Sequence, residues 1–230
     1  LISTSTRALS NLIREEKNAK DLFDNSNGIE AFTNFISSSD TAVQLSGAIA
    51  LLHLVSDPKM KQRVAHDPVL PQALTQVFSA PSEEVQKVGT QIFLSLSSLE
   101  NISFGDMAPA LIPVLLASSE NVEITENLLH ALRNICKTGS ARKKLLQSGA
   151  LKSLYELFQG NDAFHSSVFA VVAQISVEEQ ARLALSKDST FFVCALESLQ
   201  TSKEAALLIN AIPIVKNCCL SGKCMRNSIC

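Results

Sequence analysis

A five-residue phrase returns about every 41 residues along this chain. Ala8-Leu9-Ser10-Asn11-Leu12, Ala50-Leu51-Leu52-His53-Leu54, Ile92-Phe93-Leu94-Ser95-Leu96, Ala131-Leu132-Arg133-Asn134-Ile135, Val171-Val172-Ala173-Gln174-Ile175 and Ile214-Val215-Lys216-Asn217-Cys218 all read apolar, apolar, any, polar, apolar. The polar residues stand at 11, 53, 95, 134, 174 and 217, with steps of 42, 42, 39, 40 and 43. Self-similarity at such a period, carried on helical spacing, marks a stack of helical repeats. One repeat cannot bury its apolar face alone, so its neighbours do. A stack of this kind presents a long surface, which points to partner binding.

The spacing between the phrases predicts an all-α chain. The clearest unit covers about residues 121–160. A helix over Val122–Lys137 turns Ile124, Leu128, Leu129, Leu132, Ile135 and Cys136 inward by the i, i+3, i+4 rule. Thr138-Gly139-Ser140 stops it, with Gly139 as the expected left-handed cap and Ser140 as the next N-cap. A short helix over Ala141–Gln147 follows, Gly149 breaks it, and Ala150–Phe158 forms the next, closed by Gly160. Elsewhere the same plan predicts helices over 17–25, 29–37, 42–55 and 83–97, the last capped by Ser82 with Glu83 and Glu84 on the positive end of its dipole. Pro58 starts a short helix, and Pro71 falls in the first turn of another. Ser98–Asp106 is expected to be irregular.

Charge narrows the partners. Lys plus Arg number 20 and Asp plus Glu number 22, for a net charge of −2. A general nucleic-acid binder carries a basic excess, and stacking on single strands needs aromatic faces. This chain has one Tyr and no Trp, so no nucleic-acid role is expected. No apolar run approaches the roughly 18 residues that span a bilayer, and no leader-like segment opens the chain. A cytoplasmic protein, with the nucleus as an alternative, is expected, with no direct membrane insertion. The chain opens on Leu1 inside a third-helix pattern and closes without the second helix of its last unit, so a fragment of a longer protein is expected.

Six cysteines, Cys136, Cys194, Cys218, Cys219, Cys224 and Cys230, form no CxxC pair. Zinc knuckles need such pairs, so reduced thiols acting as small hydrophobes are expected, and no metal or cofactor. No GxSxG, Walker loop, GxGxxG or HExxH occurs, and no catalytic role is expected. Phe164, Phe169, Phe191 and Phe192 read as core aromatics that could also line a pocket between units.

The pattern resembles the armadillo repeat: a short first helix, a second, then a long third. In that family "GALxxLxxLL" marks the second helix and "ALxNL" the third. Ser148-Gly149-Ala150-Leu151-Lys152-Ser153-Leu154-Tyr155-Glu156-Leu157-Phe158 and Ala131-Leu132-Arg133-Asn134-Ile135 match these phrases. The HEAT repeat, with two helices per unit, is the neighbouring pattern. The resemblance implies a right-handed α-α superhelix, an armadillo-type solenoid of about five to six repeats over residues 1–230. It also implies a concave groove lined by third helices, where the Asn of "ALxNL" holds the backbone of an extended peptide. By position that role falls to Asn11, Asn134 and Asn217, with His53, Ser95 and Gln174 on the remaining rungs. Importin-α-like members set a Trp four residues before the Asn. Here those places hold Arg7, Ile49, Gln91, His130, Ala170 and Pro213, so their nuclear-signal pocket cannot be built.

Two polar stripes mark the expected partner-binding surface. Asn127, His130, Asn134 and Lys137 are spaced 3, 4 and 3, on one helix face. Thr4, Arg7, Asn11 and Arg14 repeat the spacing in the first unit. Gln91, Ser95 and Ser98 are neutral middle rungs. An acidic or extended peptide suits such a groove. Arg142, Lys143 and Lys144 form a basic run expected on a solvated, convex face. A regulatory domain packing on a folded partner through its convex face or open ends is the alternative to a peptide scaffold. A metal or enzyme site on the Cys-rich end is a third reading. Apolar ends with no polar capping repeat are expected to be covered by neighbouring repeats, another domain or a second copy.

Overall fold

The computed structural model describes residues 11–25, 29–99, 104–187 and 190–220. Those residues form fourteen α-helices and one 3-10 turn, with no strand among them. The chain divides into two compact units, Leu1–Ile102 and Ser103–Cys230.

Unit one runs through α1 (Glu16–Asp24), α2 (Glu30–Ile36), α3 (Thr41–Ser56), α4 (Pro58–Ala65), α5 (Leu70–Phe78) and α6 (Glu83–Ser97). Two short helices and one long one thus occur twice. The stops are chemical. The Asp40 carboxylate accepts the Ala42 N–H at 3.0 Å to open α3. Asp57 accepts the N–H groups of Lys59 and Met60 at 2.8 and 3.0 Å to open α4, and Pro58 occupies the first turn where no N–H is missed. Ser82 does precede α6, but its side chain makes no cap bond; Glu83 and Glu84 are the favourable feature of that first turn.

Helix α3 is rich in apolar residues, and it packs on α1, α2, α4 and α6. Leu51 and Leu54 on it are fully buried. Burying a Leu is worth about 1.5–3 kcal/mol, and helices this short draw most of their stability from such packing. Two glycines set how closely the helices approach. A Cβ on Gly47 would stand 2.7 Å from Phe35 Cβ, and one on Gly89 2.2 Å from Val77 Cγ1. These are the crossings of α2 with α3 and of α5 with α6.

Unit two runs through α7 (Ala108–Ala117), α8 (Val122–Ile135), α9 (Gly139–Gln147), α10 (Ala150–Gly160), the 3-10 turn Asp162–Phe164, α11 (His165–Ile175), α12 (Glu179–Lys187), α13 (Thr190–Thr201) and α14 (Ala205–Leu220). The inward face expected for α8 is buried in full, from Ile124 to Cys136. The turn after it differs from expectation. Thr138, not Ser140, caps α9, with its hydroxyl accepting the Ala141 N–H at 3.4 Å. Gly139 is the first helical residue and keeps negative φ. Gly149 does adopt the left-handed region, at φ 77°, which glycine enters without a Cβ penalty. Phe104 to Asp106 are non-helical, within the irregular stretch, and residues 100–103 lie outside the described set. Helix α7 follows, with Pro109 in its first turn and Pro113 inside it.

Four repeats, α1–α3, α4–α6, α9–α11 and α12–α14, contain three helices each, so the three-helix plan holds rather than the two-helix one; the repeat of α7 and α8 shows no first helix among the described residues. In three repeats a cation binds the first helix to the turn after its own long helix. Lys20 on α1 reaches Asp57 at 2.8 Å, Lys61 on α4 donates to Ser98 Oγ at 2.8 Å, and Arg142 on α9 meets Glu178 at 2.7 Å.

Candidate functional site

The long third helices are α3, α6, α8, α11 and α14. In unit one α6 packs on α3; in unit two α11 packs on both α8 and α14. Packing of this kind brings His53 and Ser95 to neighbouring helices, and Asn134, Gln174 and Asn217 to three in succession. All five are half-buried.

Some rungs are tied to the preceding helix. The Ser95 hydroxyl donates to Val55 O at 3.2 Å, and Asn217 Nδ2 donates to the buried Ser176 Oγ at 2.9 Å. These bonds span 40 and 41 residues, one repeat. Nothing in the five-residue phrase announces them. In unit one, Asn11 is helical and exposed, and Arg14 is half-buried in the turn before α1, where its N–H donates to Asn11 O at 3.4 Å. Arg14 Nε and His53 Nδ1 are buried without a hydrogen-bond partner among the described residues. Gln91 is half-buried on α6. Thr4 and Arg7 lie outside the described residues.

The α8 stripe is assembled largely as the spacing implied. Asn127 and Asn134 are half-buried, and the His130 side chain is 52% exposed. His130 Nε2 stands 3.5 Å from the Glu126 carboxylate, which also accepts the Ser167 hydroxyl of α11 at 2.5 Å. Glu126 thus bridges two third helices. Lys137 is exposed but sits beyond the helix, which ends at Ile135.

The basic run departs from expectation. Arg142 is not solvated: its side chain is 16% exposed, and besides Glu178 it donates through Nη1 to Cys136 O and Lys137 O, both at 3.0 Å. It closes the C-terminus of α8, where four carbonyls lack helical partners. Lys144 pairs with Asp106, and only Lys143 keeps the exposed role.

The thiols support a packing role. Cys136 and Cys218 are fully buried, and burial pushes the Cys136 thiol up to about 12, so it stays protonated at neutral pH. Burial raises Cys194 as well. Cys224 and Cys230 lie outside the described residues. Phe164, Phe169, Phe191 and Phe192 are buried, and Phe158 joins two of them: its ring centroid is 5.0 Å from Phe169, 5.8 Å from Phe191 and 3.9 Å from the His165 ring. Among the described residues no cluster of three His, Cys, Asp or Glu could hold a metal ion, and no helix is long and apolar enough to cross a membrane.

No protein-family model matches the chain, and no curated protein sequence does. Solved structures do. A designed armadillo repeat protein shares 17% identity at a TM-score of 0.67, over 94% of this chain and 92% of its own. Computationally designed armadillo repeat proteins for modular peptide recognition reach a TM-score of 0.69 at 18% identity, with 94% and 92% covered. A designed armadillo repeat protein in complex with the peptide (KR)4 gives 0.64 at 17%, again with 94% and 92% covered. Identity this low carries the fold alone, and the fold of this chain is the armadillo-repeat solenoid, an all-α superhelix of three-helix repeats.

Proposed function

We propose that this chain is a non-catalytic scaffold of the cytoplasm or nucleus that binds an extended peptide along the third helices α8, α11 and α14. The observation that carries this reading is the register of Asn134, Gln174 and Asn217, one amide per repeat on three consecutively packed helices. A carboxamide offers a donor and an acceptor to a peptide bond, so evenly spaced amides fix the register of an extended chain. The designed relatives in fold support it, since one of them holds the peptide (KR)4. The charge here differs. His130 and Lys137 flank Asn134, and no Trp exists in the chain to stack on a basic side chain. The peptide favoured by this groove carries acidic residues.

The test is a pull-down with the wild-type chain beside Asn134→Ala/His130→Ala, after circular dichroism shows both to be helical. Loss of the retained partner by the variant supports the groove. Equal retention supports the second reading, a regulatory domain that packs on a folded partner. That reading rests on Ile209 and Ile212 of α14, which are 67% and 53% exposed.

A further inference from the structure

Between two successive repeats of unit two lies a cleft of about 430 Å3. Its walls come from α9, α10, α12 and α13, and none from a third helix, so it is separate from the groove. Leu151, Tyr155, Leu185 and Phe191 make its apolar side. Leu185 and Phe191 are otherwise buried, and the Tyr155 ring meets Phe191 edge-on at 5.4 Å. Ligand sites run from about 300 to 1,000 Å3 with apolar walls and a few polar groups that fix orientation. This cleft has both.

Its polar groups share one character. Lys152, Gln147 and Gln180 stand at the rim, and among the described residues no Asp or Glu lines the cleft. Glu156, one turn along α10, stands 3.9 Å from the Lys152 ammonium, with the two side chains 51% and 85% exposed. A pair that loose and wet is worth little, so it does not hold Lys152 away from a ligand. The Tyr155 hydroxyl accepts from Gln159 Nε2 at 2.6 Å, which leaves its own proton to donate. Gly149, the N-cap of α10, brings no side chain to the same rim. An apolar wall under a rim of cation and donors matches a tail with one anionic head.

We propose that this cleft binds a small amphipathic carboxylate, with its apolar tail against Phe191 and Leu185 and its head at Lys152. The test is isothermal titration of the full chain with decanoate, decanol and decylamine as probes. Decanoate is expected to bind one to one, with decylamine about tenfold weaker or worse. Lys152→Gln is expected to weaken decanoate about tenfold with Tm unchanged. Ala184→Trp and Gln180→Trp, both at exposed positions lining the cleft, are expected to abolish binding. Two such variants guard against a failure of either one to fold. Three outcomes would overturn the proposal: no saturable binding, binding unmoved by both tryptophans, or an affinity for decylamine equal to that for decanoate.

Discussion

Unit one and unit two carry the same repeat with different residues at two registers. Six residues before the rung, unit one has Gly47 and Gly89, whereas unit two has Leu128, Val168 and Ala211. All five are buried. Unit one thus lets its second and third helices approach until a Cβ would clash, and unit two fills the same seam with side chains. The rungs differ as well. Unit one shows His53 and Ser95, the latter bonded to Val55 O, and unit two shows a run of three amides, of which Asn217 is bonded to Ser176 Oγ. One helical period is therefore compatible with tight glycine seams or with filled seams and amide rungs. In both units one rung is taken up by a bond to the preceding repeat, so the difference between them lies in the seam and in the side-chain type of the rungs.

Removing volume from the filled seam should do the most damage. Phe169 is fully buried beside Phe158, and Phe169→Ala is expected to lower stability by about 3–5 kcal/mol in urea unfolding. Adding volume to the glycine seam should come next. Gly89→Val copies Val168 into unit one and is expected to cost about 1–3 kcal/mol, because Val77 already occupies the space. A neutral or stabilising Gly89→Val would show that the seams are interchangeable.

The cationic ties sharpen the contrast. Arg142→Met leaves Glu178 half-buried and unpaired and uncaps α8, an expected loss of about 1.5–3 kcal/mol. Lys61→Met in unit one removes a single bond to exposed Ser98, with an expected loss of about 0.5–1 kcal/mol. Equal losses would erase the distinction. The smallest effect is acidic. The Lys20 ammonium, then the Met60 N–H, hold the Asp57 carboxyl down to about 2 from its ordinary 3.8. Its folded value lies below its unfolded one, so the contribution is complete above 3.8 and is lost as pH falls towards 2. Acid unfolding curves should lose that limb in Asp57→Asn.

The period and the apolar phrase sufficed for the fold, because Leu51, Leu132 and Ile175 recur where helices must bury them. Caps were less legible. Thr138 and Ser140 are both good N-caps by type, and only the backbone path selects Thr138. Arg142 looked like a surface cation, since a run of three basic residues hides that one turns inward. The bonds Asn217–Ser176 and Ser95–Val55 depend on how far one helix slides along the next, which a repeat period does not encode. The cleft beside Phe191 is a space left between helices, and no motif spells out a space.

The most direct test of the groove is fluorescence anisotropy with two labelled peptides, one of alternating Asp and Glu, the other (KR)4, each titrated with wild type and with Asn134→Ala. The acidic peptide should bind at least about tenfold tighter than (KR)4, from charge-assisted contacts at Lys137 and hydrogen bonds at Asn134. Asn134→Ala should weaken it about five- to thirtyfold, the worth of one or two backbone hydrogen bonds. Tighter binding of (KR)4, or an acidic peptide indifferent to Asn134, would contradict a peptide site on these third helices.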